Sequence, residues 1–174
     1  MNRRQLAAAI KEACYLEGDF TLRSGRKSNY YLDKYRFETR PEILRELGRM
    51  FAERIGPETS AIAGAELGGV ALAAAASLAA DLPFIIVRNS KKGYGTDNLF
   101  EGLLEQGSRV LLVEDIATTG GQVLEAARAI TEAGSSVERI VCVIDRREGA
   151  RENVESAGFV FEALFTIADL GIKS

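Results

Sequence analysis

One stretch of the chain sets acids, hydroxyls and glycines at fixed spacing. The apolar run Arg109-Val110-Leu111-Leu112-Val113 reads as a buried strand, and it leads straight into Glu114-Asp115 and then Ile116-Ala117-Thr118-Thr119-Gly120-Gly121. Acids at the carboxyl end of such a strand lie on the edge where open α/β sheets receive ligands. The Thr-Thr-Gly-Gly run supplies two hydroxyls and adaptable backbone, and a helix from Gln122 to Ala133 is expected behind it. Successive backbone N–H groups and a helix N-terminus form an anion nest, most naturally for a phosphate. Carboxylates beside such a nest are electrostatically awkward unless the ligand also offers hydroxyls. A ribose 5-phosphate has both, with its phosphate for the nest and its 2- and 3-hydroxyls for Glu114 and Asp115. An ordinary strand-to-helix turn with N-capping threonines would explain Thr-Thr-Gly-Gly alone, but not the acidic pair and apolar strand ahead of it.

The elements that must position this segment alternate in type. Arg3 to Leu16 has helical spacing with Gly18 as its stop, and Asp19 to Leu32 reads as a β-hairpin or hood turning at Ser24-Gly25. Pro41 opens a helix that keeps apolar spacing to Ile55. Ala61 to Gly64 is a short strand, Val70 to Ala80 a helix and Phe84 to Arg88 a strand. A glycine-punctuated loop from Asn89 to Gly102 precedes the acidic strand and its helix. The strand Arg139 to Asp145, a helix from about Gly149 to Ser156 and a strand Phe159 to Thr166 complete the order. This alternation predicts an α/β fold, a parallel sheet flanked by helices on both faces, with a small N-terminal hood. The whole chain, 1–174, reads as a single domain with the hood at about 1–40.

Composition narrows the chemistry. With 47% apolar residues and a net charge of −3, the chain can fill one core and has no basic face for nucleic acid. No apolar signal core follows Met1, and the longest uncharged apolar stretch, Leu67 to Ala80, is too short to span a membrane. A cytoplasmic location is therefore expected. Cys14 and Cys142 stand far apart and histidine is absent, which excludes a Cys/His metal site and every imidazole base. Any reaction must rest on carboxylates, Lys and Arg, backbone dipoles and a hard metal ion.

The run from Arg109 to Gly121 resembles the 5-phosphoribosyl-1-pyrophosphate (PRPP) signature of the type I phosphoribosyltransferases. Further segments resemble one branch, the orotate phosphoribosyltransferases: Phe20-Thr21-Leu22-Arg23-Ser24-Gly25-Arg26-Lys27-Ser28 with Tyr30-Tyr31 behind it, the loop from Val87 through Lys91-Lys92-Gly93-Tyr94 to Gly102, and Val143-Ile144-Asp145-Arg146. The likeness runs in order through nearly the whole chain. It implies transfer of the 5-phosphoribosyl group to orotate, giving orotidine 5′-monophosphate and pyrophosphate in pyrimidine synthesis. Residues Glu114 to Gly121 (Glu114, Asp115, Ile116, Ala117, Thr118, Thr119, Gly120, Gly121) would hold PRPP with Arg88, Lys91, Lys92 and Tyr94. Lys92, Asp115 and Arg88 would carry catalysis. Arg146 would pair with the orotate carboxylate, Arg23 would stand where the family usually has Lys, and Tyr31 and Thr118 would lie at the base. The other role open to Arg146 is an ion pair with Glu148; for one of the two tyrosines it is core packing, because alternation sends neighbours to opposite faces.

Substitution at the anomeric carbon passes through an oxocarbenium-like state while a highly charged pyrophosphate leaves, so cations and Mg²⁺ held mainly by PRPP are expected. The loop 88–102 could close over the site and exclude water, and the resemblance implies a homodimer that shares it. The chain departs from the family pattern at Asn89 and Gly68, where Lys is common, and at Tyr94, often His. Two other readings stay open: a phosphoribosyltransferase for another base, or a regulator that binds PRPP without catalysis. A neutral base would leave Arg146 and Arg23 without an anion.

Overall fold

The structure, a computed structural model, describes residues 1–21, 25, 27–90 and 99–172. The helices are α1 (Arg3–Cys14), α2 (Tyr35–Glu38), α3 (Pro41–Ala52), α4 (Gly68–Ala80), α5 (Gly121–Glu132) and α6 (Ala150–Ser156). The strands are β1 (Tyr15–Thr21), β2 (Lys27–Leu32), β3 (Ala61–Ala65), β4 (Phe84–Val87), β5 (Phe100–Glu101), β6 (Arg109–Ala117), β7 (Ser136–Asp145) and β8 (Phe161–Thr166). Six of them form one sheet in the order β5-β4-β3-β6-β7-β8. All neighbours in it run parallel except β5, which returns antiparallel beside β4. The strands β1 and β2 form a separate antiparallel pair, the hood.

The sheet is covered on both faces, which is why β3 and the Val110–Val113 part of β6 are apolar without interruption. On one face Leu111 and Val113 of β6 pack with Ile10, Phe37, Leu47, Phe51 and Leu72 from α1 to α4. On the other, Val110 and Leu112 meet Val123, Ala127, Ile130 and Val154 from α5 and α6. Strand alternation thus sends successive β6 side chains to different cores. Among the described residues no helix is long and apolar enough to cross a membrane. Cys14 and Cys142 are buried free thiols, and burial pushes the Cys14 thiol up to about 12.

Several expected boundaries shift for physical reasons. The first helix ends at Cys14, not Leu16, because Tyr15 and Leu16 pair with Leu32 and Tyr31 across the hood. Gly18 is accordingly no helix stop; it lies inside β1, where the register breaks between Glu17 and Phe20. The sheet is not wholly parallel, since part of the expected loop after Arg88 forms the edge strand β5. The short helix α2 was not indicated by the sequence, its single turn being too brief for periodicity to show. Strand β6 runs on to Ala117, so the two acids sit within the strand rather than beyond it.

Candidate active site

At the carboxyl edge of the sheet, a cleft of about 230 Å³ is lined by Lys34 and by the chain from Glu114 to Val123. The loop after β6 reaches α5 through Gly120, whose φ of +79° is the left-handed conformation that glycine adopts without strain. A Cβ there would also press to 3.0 Å from Val154. Gly120 offers no capping side chain, so the first N–H groups of α5, whose first residues line the cleft, have no partner from a cap. Asn153 of α6 braces the loop, donating Nδ2–H to the Thr119 carbonyl at 2.9 Å. Thr118 and Thr119 are exposed. Thr118 to Gly121, where the nest is expected, thus line the cleft together with Ile116 and Ala117.

The two acids meet different surroundings. Asp115 projects toward the start of α4 and binds the Lys34 ammonium at 2.6 Å. Glu114 takes the other side of the strand and is buried, with Oε1 accepting from the Asp115 backbone N–H at 3.0 Å and Oε2 without a hydrogen-bond partner. Burial, and then the Asp115 charge, raise the Glu114 carboxyl well above the usual carboxylate range. Burial by itself would lower the Lys34 pKa, but the Asp115 carboxylate beside it outweighs this and raises it. The two acids therefore differ: Asp115 is ion-paired with Lys34, whereas burial favours the protonated form of Glu114. A third acid, Glu38, is 3% exposed on α2, with its pKa pushed up to about 8 by burial and by Asp115.

Gly68 opens α4 directly against Asp115. Any Cβ at position 68 would overlap the Asp115 carboxylate and lie 3.1 Å from Lys34 Nζ. What the sequence presents as a missing cation is thus the space in which the Lys34–Asp115 pair sits.

Arg146 follows β7 and is 8% exposed. Its Nη2 donates to the Tyr30 hydroxyl at 3.1 Å, and its guanidinium lies 5.3 Å from the Tyr30 ring centroid. Its Nε stands 3.0 Å from Glu148, an ion pair by distance that lacks the alignment of a hydrogen bond. Of the two hood tyrosines, Tyr30 is the one beside Arg146. Tyr31, expected at the base, is 43% exposed and packs against Phe20 at a centroid distance of 5.6 Å.

Arg88 lies apart from the nest, in an adjoining cleft that shares Gln122 with it. Glu66 and Glu101 hold its guanidinium at 3.8 and 3.5 Å. Asn89 donates its backbone N–H to Glu66 at 2.7 Å, and Gln122 bridges the Glu66 carbonyl and the Asn89 side chain. Of the expected site residues, Arg23, Lys91, Lys92 and Tyr94 lie outside the described residues. Lys34, Glu38 and Glu66 were not singled out from the sequence.

The family model for the phosphoribosyl transferase domain matches residues 36–173. The orotate phosphoribosyltransferase of Methanocella arvoryzae is 46% identical over 153 residues, covering 88% of this chain and 87% of that one. That of Methanocaldococcus jannaschii is 44% identical, covering 97% of this chain and 96% of its own. Among solved structures, Mycobacterium tuberculosis orotate phosphoribosyltransferase in complex with Fe(III) dicitrate superposes with a TM-score of 0.89 at 33% identity, covering 99% of this chain and 100% of that one. The same enzyme in complex with PRPP gives a TM-score of 0.84 at 31% identity, with the same coverage.

Proposed function

Because the chain belongs to the phosphoribosyltransferase family, and within it to the orotate phosphoribosyltransferases, we propose that it transfers the 5-phosphoribosyl group of PRPP to orotate, releasing orotidine 5′-monophosphate and pyrophosphate, a step of pyrimidine synthesis. The observation that carries this reading is the single cleft in which Asp115 and the Thr118–Gly121 nest face one space. The nest receives the 5-phosphate through backbone N–H groups and the two threonine hydroxyls. Asp115 accepts from a ribose hydroxyl, fixing the sugar so that its anomeric carbon is presented to the base.

We place the leaving pyrophosphate at the turn from β3 into α4, because Gly68 at the start of α4 lies against Asp115 and Lys34 of the cleft. The first N–H groups of α4 have no side-chain cap and are placed to receive it. Arg146 pairs with the orotate carboxylate, taking up through the substrate the ion-pair role that Glu148 fills here. Tyr30 keeps the guanidinium in plane by accepting from Nη2.

Mg²⁺ is the cofactor proposed for this reaction. We place the ion mainly on the oxygens of PRPP, because Mg²⁺ is usually bound through substrate phosphates with one or two carboxylates. Asp115 is the hard oxygen donor in the cleft, able to accept from the ion's bound water, and the ion would neutralise charge on the leaving pyrophosphate. We place Arg88, Lys91, Lys92 and Tyr94 on the loop 88–102 at the neighbouring subunit's site in a homodimer, in keeping with the separation of Arg88 from the nest. A cytoplasmic location fits this role.

The test is pyrophosphate release from PRPP and Mg²⁺ with a panel of bases. Orotate should support turnover well above uracil, adenine or hypoxanthine. Release that is faster with a neutral base, or absent with every base, would overturn the reading.

A further inference from the structure

We propose that Lys34 is a substrate-contacting residue of this enzyme, a cation for the pyrophosphate moiety of PRPP that reaches the cleft from the segment joining the hood to α2. This deepens the function proposed above and rests on it. Lys34 comes from a part of the sequence without any signature motif, yet its side chain lines the same cleft as the phosphate nest. It is 29% exposed, enough for the ammonium to meet a ligand, and its partner Asp115 is 4% exposed beneath it.

The position of the ammonium is what gives it this role. It lies 3.1 Å from where a Cβ of residue 68 would stand, at the first turn of α4, where the N–H groups have no side-chain cap. A side chain at position 68 and the Lys34–Asp115 pair exclude each other, since any Cβ there overlaps the Asp115 carboxylate. Gly68 therefore makes room for a cation supplied from elsewhere in the chain. Without ligand, Lys34 neutralises Asp115, the acid that PRPP needs for a ribose hydroxyl. Binding of PRPP gives Asp115 the sugar hydroxyl and Lys34 the phosphate oxygens, so both groups exchange one partner for another. Neither charge is left bare at any stage, which avoids the penalty of an unpaired buried carboxylate. Lys rather than Arg suits such an exchange, because an ammonium is a compact point charge that can swing between acceptors.

Lys34→Met keeps the length and removes the charge; Lys34→Arg keeps the charge. Calorimetric titration of the whole chain should compare PRPP with Mg²⁺, inorganic pyrophosphate with Mg²⁺, and ribose 5-phosphate. A lost charge-assisted contact predicts roughly ten- to a hundred-fold weaker binding of PRPP and of pyrophosphate by Lys34→Met. Ribose 5-phosphate should change by less than about two-fold, the level of a contact not made. Lys34→Arg should recover most of the loss.

Equal weakening of all three ligands would mean that Lys34 acts only by holding Asp115, and would overturn the assignment, as would unchanged binding. Should Lys34→Met fail to fold, Asp115→Asn supplies the same comparison. Releasing Lys34 from its partner should keep or raise pyrophosphate affinity while ribose 5-phosphate binding falls, and a parallel fall in both refutes the contact. The unaltered chain separates the two readings. If it binds no PRPP, both are overturned; if it binds PRPP and Lys34→Met binds it equally, only this one is.

Discussion

Replacing Glu38 by Gln should make the protein more stable in alkaline solution and change little in acid. Glu38 is almost wholly buried and its Oε1 has no hydrogen-bond partner. Burial, and then the Asp115 carboxylate, push its pKa from an ordinary 4.5 up to about 8, against the pull of Lys34. In the unfolded chain the same group titrates near its ordinary value. Between these two pH values the folded protein keeps a proton that the unfolded chain has lost. The contribution of Glu38 is therefore intact below about pH 4.5, declines as pH rises, and reaches its full penalty above about pH 8.

At 1.36 kcal/mol per pH unit, the gap sets a ceiling of about 4–5 kcal/mol, and relaxation of the cluster around the charged form should reduce this to about 2–4 kcal/mol. Glu38→Gln keeps the shape and removes the titration. Urea unfolding at pH 5, 7 and 9, followed by tyrosine fluorescence because the chain has no tryptophan, gives the stability difference directly. It should stay below about 1 kcal/mol at pH 5 and grow to about 2–4 kcal/mol in favour of the variant at pH 9. A difference that stays flat across this range, within about 0.5 kcal/mol, would refute the assignment of Glu38 as a buried, proton-retaining acid.

Asp115→Asn should lower turnover roughly ten- to a hundred-fold, since it removes a charge-assisted acceptor, while Glu114→Gln should be milder because that carboxyl already favours its proton; equal losses from the two would contradict the difference in their surroundings. Arg146→Ala should raise the KM for orotate far more than that for PRPP, and a common rise in both would tie Arg146 to the hood's packing on Tyr30 instead. If the loop 88–102 is shared in a two-fold dimer, equal mixing of inactive Lys92→Ala and Asp115→Asn chains should restore about a quarter of normal activity, because about half the dimers are hybrids with one intact site. A mixture that stays inactive after verified subunit exchange would place Lys92 in its own chain's site.

The signature segment was legible because its information is local: the apolar strand, the acids, the hydroxyls and the glycines adjoin in sequence and remain adjoining in the fold. The sheet's order of elements could be read for the same reason, from periodicity and stops. What depended on remote contacts could not. Lys34 lies just past the hood motif and outside it, and the role proposed for it depends on β6 bringing Asp115 beneath it. Gly68 looked like a lost cation until its missing Cβ proved to be the space that the pair requires. The choice between Tyr30 and Tyr31 turned on which face of β2 meets the body, and the register break in β1 obscures that parity. Strand β5 is two residues long and has no pattern of its own.

The separate pairing of β1 with β2 has a consequence for how the molecule opens. A two-stranded ribbon is marginal by itself, so the hood depends on contacts with the body such as Tyr30 and Leu32, which it buries in the core, and the Tyr30–Arg146 contact. The Thr118–Gly121 loop instead follows β6, which is paired on both sides and covered by helices on both faces, the kind of element that opens late. Local opening can therefore release the hood and leave the nest formed. The β6 tier would then offer the sugar phosphate a formed surface, whereas the cost of ordering the hood would fall mainly on the base, beside Tyr30 and Arg146. Such a division favours a sequence in which the sugar phosphate docks first on a prepared surface and the base arrives as the hood settles over it.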